Sequence, residues 1–160
     1  MVLSFLLVFL LNLVACSSLP HAPVHQDDPV WRGRMAIFHP GPPPKQDAVS
    51  FVLGGTPNKG WLTFQSPLGQ ALAELTWSDS EVLLREGSNL KSIPDIQAWS
   101  QQWLGSALSP QTLFGVLQDP NAQIPNWHIE RKEPQHIRIT HIEPPKVQIR
   151  LIIDERPALP

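Results

Sequence analysis

Proline limits what this chain can fold into, because 18 of its 160 residues are proline, about twice the average usage. Proline has no amide hydrogen, and its ring clashes with the preceding helical turn. Long uninterrupted helices are therefore not expected, whereas short strands and short helices between turns are. A chain of this length forms one domain and little more.

The charge balance and the cysteine count exclude several classes of protein. The chain has 12 Lys and Arg against 14 Asp and Glu, a net charge of −2, so it lacks the excess of basic residues by which proteins bind nucleic-acid phosphates. Cys16 is its one cysteine. An internal disulfide framework and a zinc site built from several cysteines are therefore excluded.

The first fifteen residues form an apolar run in which only Ser4 and Asn12 are polar. This run is shorter than the roughly 20 residues that a membrane-spanning helix needs, but it has the length of the apolar region of a secretory signal. A buried core helix is the alternative, and the polar, proline-rich stretch that follows argues against it. We therefore interpret residues 1–15 as a signal peptide.

The tetrapeptide Leu-Val-Ala-Cys at 13–16 resembles the bacterial lipobox, in which a lipid is attached to the cysteine before the signal is cleaved. No Lys or Arg precedes the apolar run, which departs from that pattern. The resemblance implies that Cys16 carries acyl chains, such as palmitate, as a membrane anchor. Ser17 at the next position resembles the context that sorts lipoproteins of Gram-negative bacteria to the outer membrane.

Residues 16–30 read as the lipidated cysteine and an extended tether, because prolines recur there without any hydrophobic periodicity. His21 and His25 lie in this stretch. A metal site is one interpretation of the pair, but a solvated linker is favoured. Residues 31–160 then form the folded domain.

Short strand-like segments separated by turn residues make up the first half of that domain. They are residues 31–38, 48–53, 61–65, 70–77 and 81–86. Apolar and polar residues alternate in the fourth of these, and again in residues 127–131 and 147–153. This alternation is typical of half-buried antiparallel strands.

Two short helices are predicted between the two groups of strands. Ile93, Ile96, Trp99 and Trp103 recur at helical spacing, with Pro94 in the first turn and Gly105 at the end. A second helix starts at Ser109-Pro110 and carries the apolar residues Leu113, Val116 and Leu117. The predicted fold class is therefore α+β, with a curved antiparallel sheet and helices against one side.

No motif for catalysis or metal binding stands out in the sequence. Gly55 and Gly60 have the spacing of a phosphate loop, but Trp61 and Leu62 stand where Lys and Ser or Thr are required. His136 and His141 are five residues apart in a predicted strand, so they face opposite sides. We therefore expect no enzyme activity, catalytic residue, cofactor or metal, and an envelope lipid hydrolase is the least favoured interpretation.

Two features point to apolar surfaces instead. Trp99 and Trp103 would either close the mouth of a container for an apolar ligand or complete an ordinary core, and composition does not decide between these. Leu68 stands between Pro67 and Gly69 in a tight turn between strands, where a side chain tends to point outward.

Residues 60–75, Gly-Trp-Leu-Thr-Phe-Gln-Ser-Pro-Leu-Gly-Gln-Ala-Leu-Ala-Glu-Leu, resemble the LolB family of outer-membrane lipoprotein receptors. Weaker similarity covers most of residues 31–153, and Pro67-Leu68-Gly69 is its most specific part. The chain departs from the family at three positions. Leu53 and Val116 stand where Trp is usual, and Asp119 stands where Gly is commoner.

This resemblance implies an incomplete, half-open barrel whose helices cover a hydrophobic cavity. The cavity would receive the acyl chains of lipoproteins delivered by the periplasmic carrier LolA, and Leu68 would enter the membrane to assist insertion. The candidate lining residues are Phe51, Phe64, Leu75, Trp99, Trp103 and Ile149. The protein would be a lipid-anchored monomer on the periplasmic face of the outer membrane. A structural or other apolar-ligand-binding lipoprotein with the same fold is the alternative.

Overall fold

The computed structural model describes residues 30–157. The predicted signal peptide, Cys16 and the tether up to residue 29 lie outside the described residues, as do residues 158–160. The lipid anchor at Cys16 and the domain boundary at residue 31 therefore stay predictions.

Nine strands form one sheet in the spatial order β6-β5-β4-β3-β2-β1-β9-β8-β7, and every neighbouring pair is antiparallel. The strands are β1 (Val30–His39), β2 (Lys45–Gly55), β3 (Gly60–Gln65), β4 (Ala71–Trp77), β5 (Val82–Glu86), β6 (Asn89–Ile93), β7 (Trp127–Glu133), β8 (His136–His141) and β9 (Gln148–Glu155). Within residues 30–157, β6 and β7 are the two edges and do not pair with each other. The sheet is therefore open.

Two helices stand between β6 and β7 in the chain, α1 (Ile96–Leu104) and α2 (Pro110–Gln118). The Asp95 carboxylate accepts the amide hydrogen of Ala98 at 2.6 Å and caps the start of α1. Gly105 ends this helix at φ 71°, a left-handed conformation that glycine adopts without a steric penalty. Ser109 caps α2 through the amide of Thr112 at 3.0 Å.

One face of the sheet, which we call the inner face, carries the apolar side chains. In β1, Trp31, Met35 and Ile37 are buried while the intervening Arg32 and Arg34 are exposed. The inner face and the apolar sides of both helices form one continuous core. The outer face carries charged pairs such as Arg34 and Asp154 at 2.9 Å.

The predicted α+β class, the open antiparallel sheet and the two short helices are confirmed. The prediction was wrong at the start of α1, because Ile93 ends β6 and Pro94 precedes the capping residue Asp95. Strand β6 was not predicted, since four of its five residues are exposed and carry no alternation. Strand β6 is held by its backbone pairing with β5, although its own sequence does not indicate a strand.

Neither helix of residues 30–157 has the length and apolarity needed to cross a membrane.

Candidate functional site

The connection between β3 and β4, residues 66–70, presents Leu68 to solvent. The Leu68 side chain is 88% exposed, the largest exposure among the large apolar side chains of residues 30–157. Gly69 follows it at φ 80°, with no atom within 4 Å of an added Cβ. The outward orientation predicted for Leu68 is thus confirmed.

The backbone amides of this connection are all paired inside it. Ser66 donates to the Gln70 carbonyl oxygen and Gly69 to the Ser66 carbonyl oxygen, each at 2.8 Å. The Ser66 hydroxyl accepts the amide hydrogens of Leu68 and Gln70, both at 3.3 Å. Pro67 has no amide hydrogen. No backbone donor in residues 66–70 therefore depends on water.

A cluster of three aromatic rings connects β3 with α1. The ring centroids of Phe64 and Trp103 are 5.3 Å apart, those of Trp99 and Trp103 5.4 Å, and those of Phe64 and Trp99 6.1 Å. Phe64 is 4% exposed whereas Trp103 is 38% exposed. The aromatic cluster thus extends from the core to the surface, two residues away from the connection that carries Leu68.

The other three candidate lining residues lie on the inner face of the sheet. Phe51 is the cross-strand partner of Phe64 and is 3% exposed, while Leu75 and Ile149 are fully buried. All three belong to the same core as Phe64. The structure therefore brings Phe64, Trp99 and Trp103 into direct contact and places Phe51, Leu75 and Ile149 in the same hydrophobic core.

Gly33 explains how Phe51 is accommodated. The two residues are cross-strand partners, and a Cβ on Gly33 would come within 3.0 Å of the Phe51 ring and 2.3 Å of the Ile152 carbonyl oxygen. Only a glycine leaves this space free. This contact is not predictable from the sequence, because it depends on the register between β1, β2 and β9.

Arg131 of β7 is a second feature that the sequence did not predict. Its guanidinium donates to three backbone carbonyl oxygens at the end of α2, those of Val116, Asp119 at 2.9 Å and Pro120 at 3.1 Å. Burial lowers the pKa of Arg131, and the nearby Arg156 lowers it further, while Asp119 raises it. A cation at a helix C-terminus stabilises the helix dipole, so Arg131 holds α2 against the β7 edge.

The histidines are arranged as the strand pattern predicts. His136 pairs with Ile152 on the outer face, and His141 pairs with Trp127, whose ring it meets edge-on at 5.0 Å between centroids. Residues 30–157 contain no group of three His, Cys, Asp or Glu side chains that could hold a metal ion. Gly55 and Gly60, which have the spacing of a phosphate loop, flank the turn of residues 56–59 between β2 and β3.

No protein-family model matches the chain, and no curated protein matches it either. Among solved structures it is similar to a LolA superfamily protein, NE2245, from Nitrosomonas europaea. The match has 7% sequence identity and a TM-score of 0.47, and it covers 84% of this chain and 89% of that chain. At this identity and TM-score, the match does not indicate a function for this chain.

Proposed function

We propose that this protein is an outer-membrane lipoprotein receptor. It accepts lipoproteins from a periplasmic carrier of the LolA type, holds their acyl chains between the sheet and the helices, and inserts them into the outer membrane. The observation that carries the proposal is the aromatic cluster, which leads from the core to the surface beside the exposed Leu68. It offers an apolar route between an acyl-chain site and a loop able to touch a bilayer.

The route through the aromatic cluster requires that apolar contacts exchange without exposing polar groups. The rings of Phe64, Trp99 and Trp103 pack against one another, with centroids 5.3–6.1 Å apart. Acyl chains can replace such contacts with others of the same kind, so separating α1 from β3 costs little once cargo has entered. Transfer driven by apolar affinity alone needs no nucleotide and no cofactor.

The free energies of burying a leucine side chain and acyl chains indicate different roles for Leu68 and Cys16. Burying one leucine side chain gains about 1.5–3 kcal/mol, which is too little for stable attachment to a membrane. Acyl chains gain about 0.8 kcal/mol per buried CH₂, and two chains suffice for stable anchoring. In this proposal Cys16 holds the protein on the membrane, and Leu68 touches the bilayer only during transfer.

A transfer assay tests the proposal. A carrier loaded with a labelled lipoprotein is mixed with the purified protein, and cargo is followed first on the protein and then in vesicles separated by flotation. We expect cargo to leave the carrier and to appear in the vesicles only when the protein is present. Cargo that stays on the carrier, at any concentration of the protein, would contradict the proposal.

Binding of a smaller apolar ligand is the second candidate, and the dense packing of the inner face favours it. Phe51, Phe64, Leu75 and Ile149 are 0–4% exposed, so a small ligand would displace fewer contacts than acyl chains of full length. Equal affinity for short and long fatty acids, together with no cargo transfer, would favour this candidate over the receptor.

A further inference from the structure

The exposed apolar side chains of the domain are collected at one end of the sheet. We call this the proline end, formed by the connections 40–44, 66–70, 87–88 and 142–147 between β1–β2, β3–β4, β5–β6 and β8–β9. Six large apolar side chains of residues 30–157 are 38–88% exposed. Five of them lie in these connections or within two residues of one: Phe38, Leu68, Leu72, Leu90 and Ile142.

The sixth, Trp103, lies near the same end. It is the next-to-last residue of α1, and Gly105 just after this helix lies against Pro145 of the connection 142–147, with an added Cβ 3.2 Å from the Pro145 Cγ. The opposite end of the sheet, formed by residues 56–59, 78–81 and 134–135, contains no apolar residue other than proline. Within residues 30–157, the exposed large apolar side chains therefore lie on one side of the domain.

The chemistry of the proline end fits the interface of a lipid bilayer. Its four connections contain seven prolines and only two charged residues, Glu143 and Lys146, of opposite sign. Prolines carry no amide hydrogen that would have to leave water, and the amides of residues 66–70 are all paired internally. A backbone that enters hydrocarbon must satisfy its donors internally, whereas a protein partner would supply acceptors of its own.

The length of the predicted tether would allow this end to face the membrane. Strand β1 starts at Val30 on the opposite end of the sheet and reaches the proline end at His39. Its ten residues span roughly 30 Å at about 3.3 Å per residue. The fourteen links from Cys16 to Val30 can extend to about 50 Å. An anchor at Cys16 can therefore lie in the same bilayer that the proline end touches.

We infer that the proline end is a docking surface for an uncharged lipid bilayer, in which Phe38 and Ile142 contact the lipid beside Leu68, and that the Ser66 hydroxyl prepares residues 66–70 to leave water. This inference rests on the proposed receptor function for its biological setting. It extends the membrane contact from one leucine to a surface, and it fixes the orientation of the sheet with its strands pointing toward the lipid.

Fluorescent labels at single introduced cysteines test the docking surface in the mature lipidated protein reconstituted into phosphatidylcholine vesicles. The variants are Phe38→Cys and Ile142→Cys, with Asn58→Cys at the opposite end as the matched control. The parent protein, treated in parallel, reports any labelling of Cys16. We expect nitroxide-bearing lipids to quench the labels at 38 and 142 but not the label at 58, with little change between about 50 mM and 0.5 M salt.

Equal quenching at all three positions, or none at any, would overturn the inference. Shielding of residues 38 and 142 by an added carrier protein, without quenching by lipid, would also overturn it, because the surface would then bind protein. The transfer assay separates this from the proposed function. Transfer without quenching at 38 and 142 contradicts only the docking surface, and quenching without transfer contradicts only the receptor.

Substitution of Ser66 separates two effects on docking, the hydrophobicity of the loop and the pairing of its backbone amides, because the two predict opposite results. Ser66→Ala makes the loop more apolar but leaves the amides of Leu68 and Gln70 without their acceptor. We expect Ser66→Ala to dock about fivefold more weakly than the parent, as measured by quenching of a label at position 38. Ser66→Thr, which keeps the hydroxyl, should dock like the parent. Docking by Ser66→Ala that equals or exceeds that of the parent would contradict the role of Ser66.

Discussion

The rings of Phe64 in β3 and Trp103 in α1 meet with their centroids 5.3 Å apart, and this contact joins the sheet to its covering helix near the connection that carries Leu68. Phe64 is buried while Trp103 is partly exposed, so the contact spans the boundary between core and solvent. Movement of α1 away from the sheet would separate these rings and uncover apolar surface on Phe64, which is two residues from the connection 66–70.

Leu68→Glu should separate cargo acceptance from cargo insertion. A carboxylate at this tip resists transfer into lipid, while the 88% exposure of Leu68 means that stability should change by no more than about 0.5 kcal/mol. We expect the variant to take cargo from the carrier and to fail in delivering it to vesicles. Asn58→Glu, with the same new charge at the opposite end, should deliver normally. Unchanged delivery by Leu68→Glu would contradict the role of this residue.

Phe64→Ala and Trp103→Ala should differ in stability although they disrupt the same contact. Phe64 is buried, so its truncation should lower the free energy of unfolding by about 3–5 kcal/mol. Trp103 is partly exposed, and we expect a loss of about 1–3 kcal/mol. Urea unfolding measures both. A larger loss for Trp103 would show that the aromatic cluster is anchored from α1 rather than from β3.

Cys16→Ala should remove the membrane anchor without affecting the fold, because the core of the described residues is formed between Trp31 and Ile153. We expect cells to yield the protein in the soluble periplasmic fraction, with the same circular dichroism spectrum as the parent. Retention of this variant in the membrane fraction after a salt wash would contradict lipid attachment at Cys16.

Shortening the tether should uncouple anchoring from docking. Deletion of residues 19–27 leaves five links between Cys16 and Val30, or about 18 Å at full extension, less than the length of β1. We expect this variant to stay in the membrane fraction but to lose quenching of a label at position 38. Replacing the same nine residues by Gly and Ser keeps the reach and should preserve quenching. Docking of the deletion variant that equals that of the parent would contradict the inferred orientation, in which the proline end faces the bilayer that holds Cys16.

Arg131→Met should destabilise the domain because it removes three charge-assisted hydrogen bonds from the end of α2. We expect a loss of about 2 kcal/mol in the free energy of unfolding. Arg131→Lys keeps the positive charge but not the several donors of the guanidinium, and its loss of stability should be smaller than that of Arg131→Met. Although burial lowers the pKa of Arg131, arginine stays charged throughout the physiological range, so the loss of stability should be the same at about pH 6 and about pH 8. A loss below about 0.5 kcal/mol would mean that water satisfies the carbonyls equally well.

Much of the fold follows from local patterns in the sequence. The alternation of Ala71, Ala73, Leu75 and Trp77 predicted their common face, and three of the four are buried on it. Gly105 and Ser109 predicted helix ends that the structure contains. Strand β6 could not be predicted, because an exposed edge strand needs no alternation of apolar and polar residues. It is held in place by its pairing with β5.

The candidate site was less accessible to sequence reasoning, because it depends on contacts between distant residues. Helical spacing placed Trp99 and Trp103 on one side of α1, but their contact with Phe64 requires the packing of that helix on β3. The support that Arg131 gives to α2 also joins elements that are far apart in the chain. Leu68 was predictable as an exposed residue, since its neighbours Pro67 and Gly69 define a turn.

The open edge of the sheet at β6 has a consequence for behaviour at high concentration. Lys91 lies opposite the buried Leu84, on the side of the sheet that carries the core, and its ammonium group pairs with the Glu86 carboxylate at 3.0 Å. A charge turned toward the apolar side of an edge strand hinders the addition of strands from other molecules. We therefore expect Lys91 to hinder strand addition, and with it aggregation, at the β6 edge of this open sheet.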